Sequence, residues 1–271
     1  MPVLKSKPPN KTKLAKKLGV ARSTLYYHSK LTVKDEVIKR QIAEVMDSNP
    51  SYGHKRVAMA LHLNKKRILR VMQRFKLKPK IIRGKKWVKL GDRNLQVAVY
   101  SNEIANLCPL TINIAWSGDF TYINYRGSFV YLATVMDIYN REIVGAAVGR
   151  YHNQHLVRAA IFDAKQKRDC WPHYFHSDQG SEYRAESHAD YLEKEGVIVS
   201  MSHKSSPWEN GYQESFYSQF KLELGKVNRF ESEAHLFEAI WQQLYYYNHH
   251  RIHTALKMSP RQFYQLAAKG R

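Results

Sequence analysis

Apolar residues recur at helical spacing along the first third of the chain. The clearest stretch, residues 34–46, carries four of them on one predicted helical face: Val37, Ile38, Ile42 and Met46. Two further stretches, 53–63 and 65–75, continue the pattern, and Asn64 stands where a helix N-cap is favoured. The sequence therefore predicts a bundle of three helices in this region.

A weaker helical pattern precedes this bundle. Residues 11–18 are apolar on one face, Gly19 breaks the pattern, and residues 21–27 form a second short predicted helix. This spacing is typical of a helix-turn-helix unit, in which Arg22, at the start of the second helix, contacts DNA. Two short helices joined at a glycine are also common in bundles that bind no DNA.

From residue 112 onward the pattern changes to that of β-strands. Three runs rich in Val, Ile, Tyr and Thr are separated by short turns and cover residues 112–123, 128–137 and 141–148. Alternating helices and strands follow, with predicted bounds at 155–167, 174–176, 186–195, 197–201, 209–224 and 232–248. This order predicts an α/β fold, a ribonuclease-H-like mixed five-stranded sheet with flanking helices, preceded by the all-α helix-turn-helix region.

The positive charge is concentrated ahead of the β-rich part. The first 93 residues hold 26 of the 44 Lys and Arg residues but 5 of the 23 Asp and Glu residues, so they carry the whole net charge of +21. This asymmetry favours a nucleic-acid-binding part joined to a separate catalytic part. We predict a basic helical DNA-binding region at 1–78, a basic linker at 79–95 and a catalytic core at 96–271. A solubilising basic tail is the alternative.

The third helix of the predicted bundle is the best candidate for a recognition helix. Its apolar face is complemented by basic residues, among them Lys65, Lys66, Arg67 and Arg70. Such a face suits phosphate contacts along a DNA groove. The alternative is a solvated basic face on an ordinary bundle.

Several classes of protein are disfavoured by the composition. Cys108 and Cys170 are the only cysteines and lie far apart, which indicates neither a disulfide framework nor a structural zinc site. No apolar run approaches the roughly 18 residues of a membrane span, and the N-terminus lacks a signal-peptide core. We therefore expect an intracellular protein without a membrane partner.

Three acidic residues occupy suggestive places in the predicted fold. Asp119 interrupts a buried strand, Asp178 follows a short strand, and Glu214 lies on a helix. The predicted buried stripe of that helix consists of Trp208, Tyr212, Phe216, Phe220 and Leu224, and Glu214 projects to its side. The first and fourth strands are neighbours in this fold, so the two aspartates can meet, and the helix brings in the glutamate. Each acid alone has a simpler explanation as a strand end, a turn cap or an exposed helix residue. Asp137 and Glu182 are expected to be turn or supporting residues.

Gathered carboxylates repel one another unless a hard cation lies among them, and Mg²⁺ is the usual one beside phosphates. We expect two Mg²⁺ ions about 4 Å apart, bridged by Asp119 and held individually by Asp178 and Glu214, with Mn²⁺ as a substitute. Such a site activates a water or a DNA 3′-hydroxyl and stabilises the leaving 3′-oxygen. Lys221 lies two helical turns beyond Glu214 and is expected to contact the DNA backbone.

The residues around these acids resemble those of the orfB-type transposases of bacterial insertion sequences, in the retroviral-integrase superfamily. In that family 35 residues separate the second and third acids, and 35 separate Asp178 from Glu214. Further likeness lies in Trp-Ser-Gly-Asp-Phe-Thr-Tyr, His-Ser-Asp-Gln-Gly-Ser-Glu-Tyr, Tyr-Asn-His-His-Arg-Ile-His and, upstream, Ser-Tyr-Gly-His-Lys-Arg-Val. The resemblance spans about residues 35–265.

The resemblance implies Mg²⁺-dependent cleavage of double-stranded DNA at the terminal repeats of a mobile element, then strand transfer to target DNA. It also implies a synaptic multimer, an orfA-type fusion partner in some relatives, and a cytoplasmic, nucleoid-associated location in a bacterium. By the resemblance, Asp119, Asp178 and Glu214 are the catalytic metal ligands. Two alternatives remain, a structure-specific nuclease on the same fold and a DNA-binding regulator derived from a transposase.

Overall fold

The computed structural model describes residues 10–26, 30–81, 100–105, 107–109, 111–178, 186–202 and 210–269. The N-terminal part is helical. It contains a 3-10 helix at Arg22–Tyr26 and four α-helices, α1 Lys11–Lys17, α2 Lys30–Ser48, α3 His54–Ala60 and α4 Lys65–Arg74.

Helices α2, α3 and α4 form the predicted bundle around one apolar core. Ile42 of α2 and Ile68 of α4 are fully excluded from solvent in that core. Asn64 caps α4 as predicted, because its side-chain oxygen accepts a hydrogen bond from the N–H of Lys66 at 2.8 Å. Val37, expected in the core, is instead 55% exposed.

The second short helix predicted ahead of the bundle is present at the predicted place, but it is not an α-helix. That element is a 3-10 helix, Arg22–Tyr26, with no buried residue, and residue 27 of the predicted helix lies outside the described part. Leu18, expected on an apolar face, is 58% exposed. A short α-helix is stabilised mainly by packing an apolar face against the rest of the protein. This five-residue segment buries no such face, so it lacks the packing that would stabilise an α-helix.

Five strands form a mixed sheet in the order β3-β2-β1-β4-β5. Their bounds are β1 Ala115–Tyr125, β2 Ser128–Asp137, β3 Ile143–Gly149, β4 Tyr174–Ser177 and β5 Ile198–Met201. The pairs β1–β2 and β2–β3 are antiparallel, whereas β1–β4 and β4–β5 are parallel. The first and fourth strands are therefore neighbours, as predicted.

Helices cover both faces of this sheet. They are α5 Gln154–Arg168, α6 Glu186–Lys194, α7 Gly211–Leu224, α8 Glu233–His249 and α9 Pro260–Lys269, with a 3-10 helix at Val227–Arg229. On one face α5 and α6 pack around a core that includes Trp116 and Phe175. On the other face α7 and α8 pack around Leu132, Phe216 and Ile240.

Helix α5 lies unusually close to the sheet at Gly145 of β3. A Cβ atom added to this glycine would lie 2.1 Å from the carbonyl oxygen of Ala160 and 2.7 Å from the Cβ of Ala164. Any larger residue would displace the helix backbone, so glycine sets the distance between α5 and the sheet.

Helix α9 was not predicted, although the sequence contains its start signal. Pro260 occupies the first helical position, where its missing N–H costs nothing. Ser259 and Gln262 form a reciprocal capping box, since each accepts a hydrogen bond from the backbone N–H of the other, at 3.4 and 3.2 Å.

Hydrogen bonds join the N-terminal bundle to the core. The hydroxyl of Ser51 donates to the carboxylate of Glu223 on α7 at 2.6 Å. The backbone N–H of Ile252, beyond α8, donates to the hydroxyl of Tyr52 at 2.7 Å. The Ser-Tyr-Gly and His-His-Arg-Ile stretches singled out in the sequence are therefore partners in space.

The basic linker predicted at 79–95 falls largely outside the described residues, since the ranges stop at residue 81 and resume at residue 100. Within the described ranges, no helix is long and apolar enough to cross a membrane.

Candidate active site

The two predicted catalytic aspartates lie just beyond the same end of the short stretch over which β1 and β4 pair. β1 pairs with β4 through Ala115–Ser117, and Asp119 follows two residues later on β1. Asp178 comes directly after the last residue of β4. Because β1 and β4 are parallel, both carboxylates are carried to one edge of the sheet.

Glu214 is placed beside this edge because α7 is tied to β1 by buried polar side chains. The amide nitrogen of Gln213 donates to the carbonyl oxygen of Ser117 at 2.6 Å. One turn later, the hydroxyl of Tyr217 donates to the carbonyl oxygen of Asp119 at 2.7 Å. The residues that anchor α7 thus flank Glu214 and contact the backbone on either side of Gly118.

Sequence reasoning missed these anchoring residues. Of the predicted buried stripe of this helix, Phe216, Phe220 and Leu224 are buried as predicted. Tyr212 is instead 49% exposed, and Trp208 lies outside the described residues. The buried face also contains the polar residues Gln213 and Tyr217, and Asn210 accepts a hydrogen bond from the Ser117 hydroxyl at 2.7 Å. The signal was present, because these three polar residues recur at helical spacing.

The electrostatics of Asp119 couple the three acids. Burial is the main effect that raises the pKa of Asp119, and the nearby charge of Asp178 adds to it. Glu214 contributes a smaller increase, while a hydrogen bond from the backbone N–H of Phe120 opposes these effects. Together they raise the pKa of Asp119 to about 8. The carboxylate is therefore poorly compensated and favours a bound proton or cation.

This donor set suits a hard divalent cation, which takes carboxylate oxygens as ligands. Within the ranges that the structure describes, no three His, Cys, Asp or Glu side chains are close enough to hold one metal ion together. The charges of Asp178 and Glu214 nevertheless act on the carboxylate of Asp119.

Lys221 is the predicted DNA contact that the structure brings to this region. It is exposed on α7, the helix that carries Glu214. Its ammonium group lies 4.8 Å from the ring centre of Tyr122 on β1. The helix therefore presents a carboxylate and a cation beside the same strand.

The other predicted DNA contacts lie on the N-terminal helices. Lys65 and Lys66 are exposed in the first turn of α4, and Arg67 is half-buried. Arg70 donates to the fully buried carboxylate of Asp35 at 2.6 Å. The remaining candidate, Arg22, is exposed on the 3-10 helix ahead of the bundle.

Asp137 behaves as the predicted turn residue. Its two carboxylate oxygens accept hydrogen bonds from the backbone N–H groups of Asn113 and Tyr139, at 2.8 and 2.9 Å. Burial raises its pKa, and these bonds counteract the increase. Glu182, the other supporting acid proposed, lies outside the described residues.

A cavity of about 640 Å³ lies at a different edge of the sheet. It is bordered by β3, α5, α8 and α9, and its lining includes Glu142, Arg168 and Trp241. None of the three coupled acids lines it, so it is distinct from the candidate active site.

Comparison with known families identifies the core. Two family models, each described as an integrase core domain, match residues 112–207 and 195–260. The first matched segment contains Asp119 and Asp178, and the second contains Glu214.

Proteins of bacterial insertion elements are similar in sequence to this chain over most of its length. A transposase for insertion sequence element IS904 from Lactococcus lactis is 32% identical, covering 87% of this chain and 96% of the relative. The 31 kDa protein of insertion element IS600 from Shigella sonnei is 30% identical, covering 92% and 98%.

Among solved structures, the simian T-cell lymphotropic virus intasome in complex with the PP2A regulatory subunit B56 gamma has a similar fold. The TM-score is 0.51 at 15% identity, covering 82% of this chain and 74% of that one. The ribonuclease-H-like fold class predicted from the sequence is confirmed by this likeness and by the strand order. The chain therefore belongs to the insertion-sequence transposases of the retroviral integrase superfamily.

Proposed function

We propose that this chain cleaves DNA at the ends of its own mobile element and joins the freed 3′-hydroxyl to target DNA, using Asp119, Asp178 and Glu214. The observation that carries the proposal is the bond from Tyr217 to the carbonyl oxygen of Asp119. This bond holds the helix of the third acid against the strand of the first. The family membership favours this reaction over a nuclease that cannot join DNA and over a regulator without catalysis.

Asp119, Asp178 and Glu214 would hold two divalent cations, Mg²⁺ or Mn²⁺. Bound there, such ions supply activation of the attacking oxygen and charge stabilisation of the leaving oxygen. Asp119 must lose the proton that its raised pKa favours, so ion binding and proton release are coupled at this residue. Gln213 and Tyr217 keep the strand and helix backbones in register while the charge changes.

Lys221 would bind the DNA backbone at the edge of this site. Its ammonium group lies 4.8 Å from the ring centre of Tyr122 on β1, and phosphate oxygens are its natural partners. The carboxylates alone repel DNA, so a cationic side chain on the same helix helps to hold the strand near them.

The N-terminal region, proposed as residues 1–78 with a linker at 79–95, would bind the terminal repeats through Arg22, Lys65, Lys66, Arg67 and Arg70. Asp35 holds the guanidinium of Arg70 and also that of Arg74, at 2.9 Å, so both arginines are oriented before DNA arrives. Phosphate contacts of this kind position a protein on the duplex.

Further partners follow from the proposed reaction. Joining two element ends to one target requires two active sites in one complex, which we infer to be a synaptic multimer of this chain. An orfA-type fusion partner would add a second DNA-binding part.

The test uses labelled DNA that carries the inverted repeats flanking the gene. The wild type, Glu214→Gln and the matched exposed control Glu231→Gln are incubated with Mg²⁺ or with EDTA, and products are resolved by strand. We expect cleaved and joined strands from the wild type and Glu231→Gln with Mg²⁺, and none from Glu214→Gln. Cleavage without joining would support the nuclease, and bound but uncut DNA in every reaction would contradict the proposal.

A further inference from the structure

One end of the sheet carries a group of aromatic side chains, of which two are exposed to solvent and others pack at the margin of the core under α5. They come from β1 and β2 on the face opposite α7, and one more precedes α5. We call this group, Phe120, Tyr122, Phe129, Tyr131 and His152, the aromatic surface. Tyr122 is 57% exposed and Phe129 is 48% exposed, which is unusual for large aromatic residues on a paired strand.

The rings of the aromatic surface contact one another in sequence. The rings of Tyr122 and Phe129 meet edge to face with centres 5.3 Å apart, and Phe129 lies 6.4 Å from Tyr131. His152 stacks on Tyr131 at 5.4 Å and also lies 3.9 Å from Phe120. Each ring is fixed by its neighbours, so little freedom remains to be lost when a flat ligand binds.

Two features of the fold keep this surface open. Helix α5 covers the same face but begins at Gln154, two residues after His152, and the core beneath it includes neither Tyr122 nor Phe129. Strand β4 pairs with β1 through Ala115–Ser117 only, so β1 carries no partner strand on that side at Tyr122 in the described part of the chain.

The aromatic surface adjoins the candidate active site along β1, although the side chains of Asp119 and Phe120 point to opposite faces of the sheet. Phe120 follows Asp119 on β1, and its N–H donates to the carboxylate of Asp119 at 2.7 Å. The ammonium group of Lys221, from the helix of Glu214, lies 4.8 Å from the ring centre of Tyr122. A ligand on Tyr122 would therefore meet a flat ring and a cation that belongs to the same helix as Glu214, two turns away.

We propose that Tyr122 stacks on an unpaired base of the DNA strand whose end reacts, while Lys221 binds the phosphate of the same strand. This inference rests on the proposed function and adds a subsite to it. Aromatic rings bind bases through their faces without regard to sequence, and a nearby cation binds the backbone. A base can reach the ring only when it has left its pair, so the surface favours opened DNA ends.

A protein occupant fits less well. The ring of Tyr122 already faces a cation, and other rings of the surface, such as Tyr131 and Phe120, are partly buried in the core. This combination of one open ring and one charge suits a nucleotide better than the broad apolar patch of a stable protein interface.

The experiment uses a duplex of the element's terminal repeat with three unpaired nucleotides at the reacting 3′ end, and a fully paired duplex as the control. The fluorescent base 2-aminopurine replaces each unpaired base in turn, and its emission is measured with the full chain in Mg²⁺. The variants are Tyr122→Ala, Tyr122→Phe and Tyr245→Ala. Tyr245 is equally exposed, at 57%, but lies on α8 against His249.

We expect strong quenching at one unpaired position with the wild type, Tyr122→Phe and Tyr245→Ala, and recovery of emission with Tyr122→Ala. Affinity for the opened duplex should fall about tenfold in Tyr122→Ala, with the paired duplex unaffected. Equal quenching by every variant would overturn the proposal. So would a change of oligomeric state confined to Tyr122→Ala in sedimentation, because the surface would then join two copies of the chain.

The proposed function fails by a different result. If the wild type cuts no repeat DNA but quenches the emission in a Tyr122-dependent way, the stacking proposal stands. The proposed transposase activity on this substrate is then contradicted. If the wild type and Tyr122→Ala cut and join DNA equally and show the same emission, the stacking proposal is contradicted and the transposase proposal stands.

Discussion

The carboxylate of Glu223 and the guanidinium of Arg251 form an ion pair at 2.9 Å that is almost fully withdrawn from water, with 6% and 4% of their side chains exposed. Ser51 of the N-terminal bundle donates to the same carboxylate. Glu223 therefore connects α7, the helix of Glu214, with the N-terminal bundle and with the segment after α8.

Replacing Arg251 with Met is expected to destabilise the fold by about 3 kcal/mol, because the change leaves the Glu223 charge buried without its main partner. Urea unfolding of the full chain measures this. The matched control is Arg150→Met, since Arg150 pairs with Glu233 at the surface, where solvent screens the charges. Equal losses in the two variants would contradict the importance of the buried pair.

Tyr217→Phe is expected to slow DNA cleavage about tenfold or more while DNA affinity stays unchanged. The variant leaves the carbonyl oxygen of Asp119 without its 2.7 Å donor from α7, so Glu214 is held less firmly. Single-turnover cleavage and DNA binding are measured in parallel.

Tyr247→Phe serves as the control for Tyr217→Phe. The hydroxyl of Tyr247 also donates to a backbone carbonyl, that of Arg141 at 3.0 Å, and the side chain is similarly buried. Both variants should lose comparable stability, but cleavage should slow in Tyr217→Phe alone. If cleavage slows equally in both variants, the slower cleavage of Tyr217→Phe results from lower stability of the fold and not from the position of Glu214.

Asp119→Asn is expected to raise the melting temperature in EDTA, with an effect that grows with pH. The unfolded carboxyl has its ordinary pKa near 4, while the folded pKa is about 8. Between these values the folded state binds more protons than the unfolded state, so wild-type stability falls as pH rises from 4 to 8. The variant carries no such charge and should not show that decline.

Mg²⁺ should reverse the order seen with Asp119→Asn, since an ion that binds the folded carboxylates stabilises the wild type more than the variant. Asp47→Asn is the control, because Asp47 is exposed and pairs with Lys80 at the surface. A pH dependence identical in Asp119→Asn and the wild type would show that Asp119 is not the group responsible.

Lys66→Ala is expected to weaken DNA binding at low salt and to reduce the slope of log affinity against log salt by about 0.9. Arg70→Ala should do the same and also lower stability, because it breaks one of the two bonds to the buried Asp35. Fluorescence anisotropy across a KCl series measures the slope. Lys39→Ala, on α2, is the control and should leave the slope unchanged if α4 is the DNA-binding helix.

The sequence predicted most elements of the core because their patterns are local. Strand alternation and turn residues located β1 and β2 within a few residues, and the neighbouring positions of β1 and β4 followed from the element order. The placement of Asp119 and Asp178 on these strands could therefore be predicted from the sequence. Their role as metal ligands remains a prediction.

What the sequence did not reveal depends on contacts between distant segments. Helix α7 was expected to bury Tyr212, but the sheet opposite it offers the carbonyl oxygens of Ser117 and Asp119, which select the polar Gln213 and Tyr217 for the buried face. The contact of Tyr52 with Ile252 spans 200 positions and carries no periodic pattern. The 3-10 helix at Arg22–Tyr26 differs from prediction because propensity alone does not sustain so short a helix.

The bonds from Ser51 and Tyr52 to the core have a geometric consequence for the proposed reaction. The proposed recognition helix α4 belongs to the bundle, and Glu214 belongs to the helix that the bundle contacts. If both act as proposed, folded protein sets the length of DNA between the repeat and the severed bond. The cut would then fall at a fixed number of base pairs from the recognised repeat. An insertion of a few base pairs between the repeat and the cut site would therefore shift the cut by the same number of base pairs along the element.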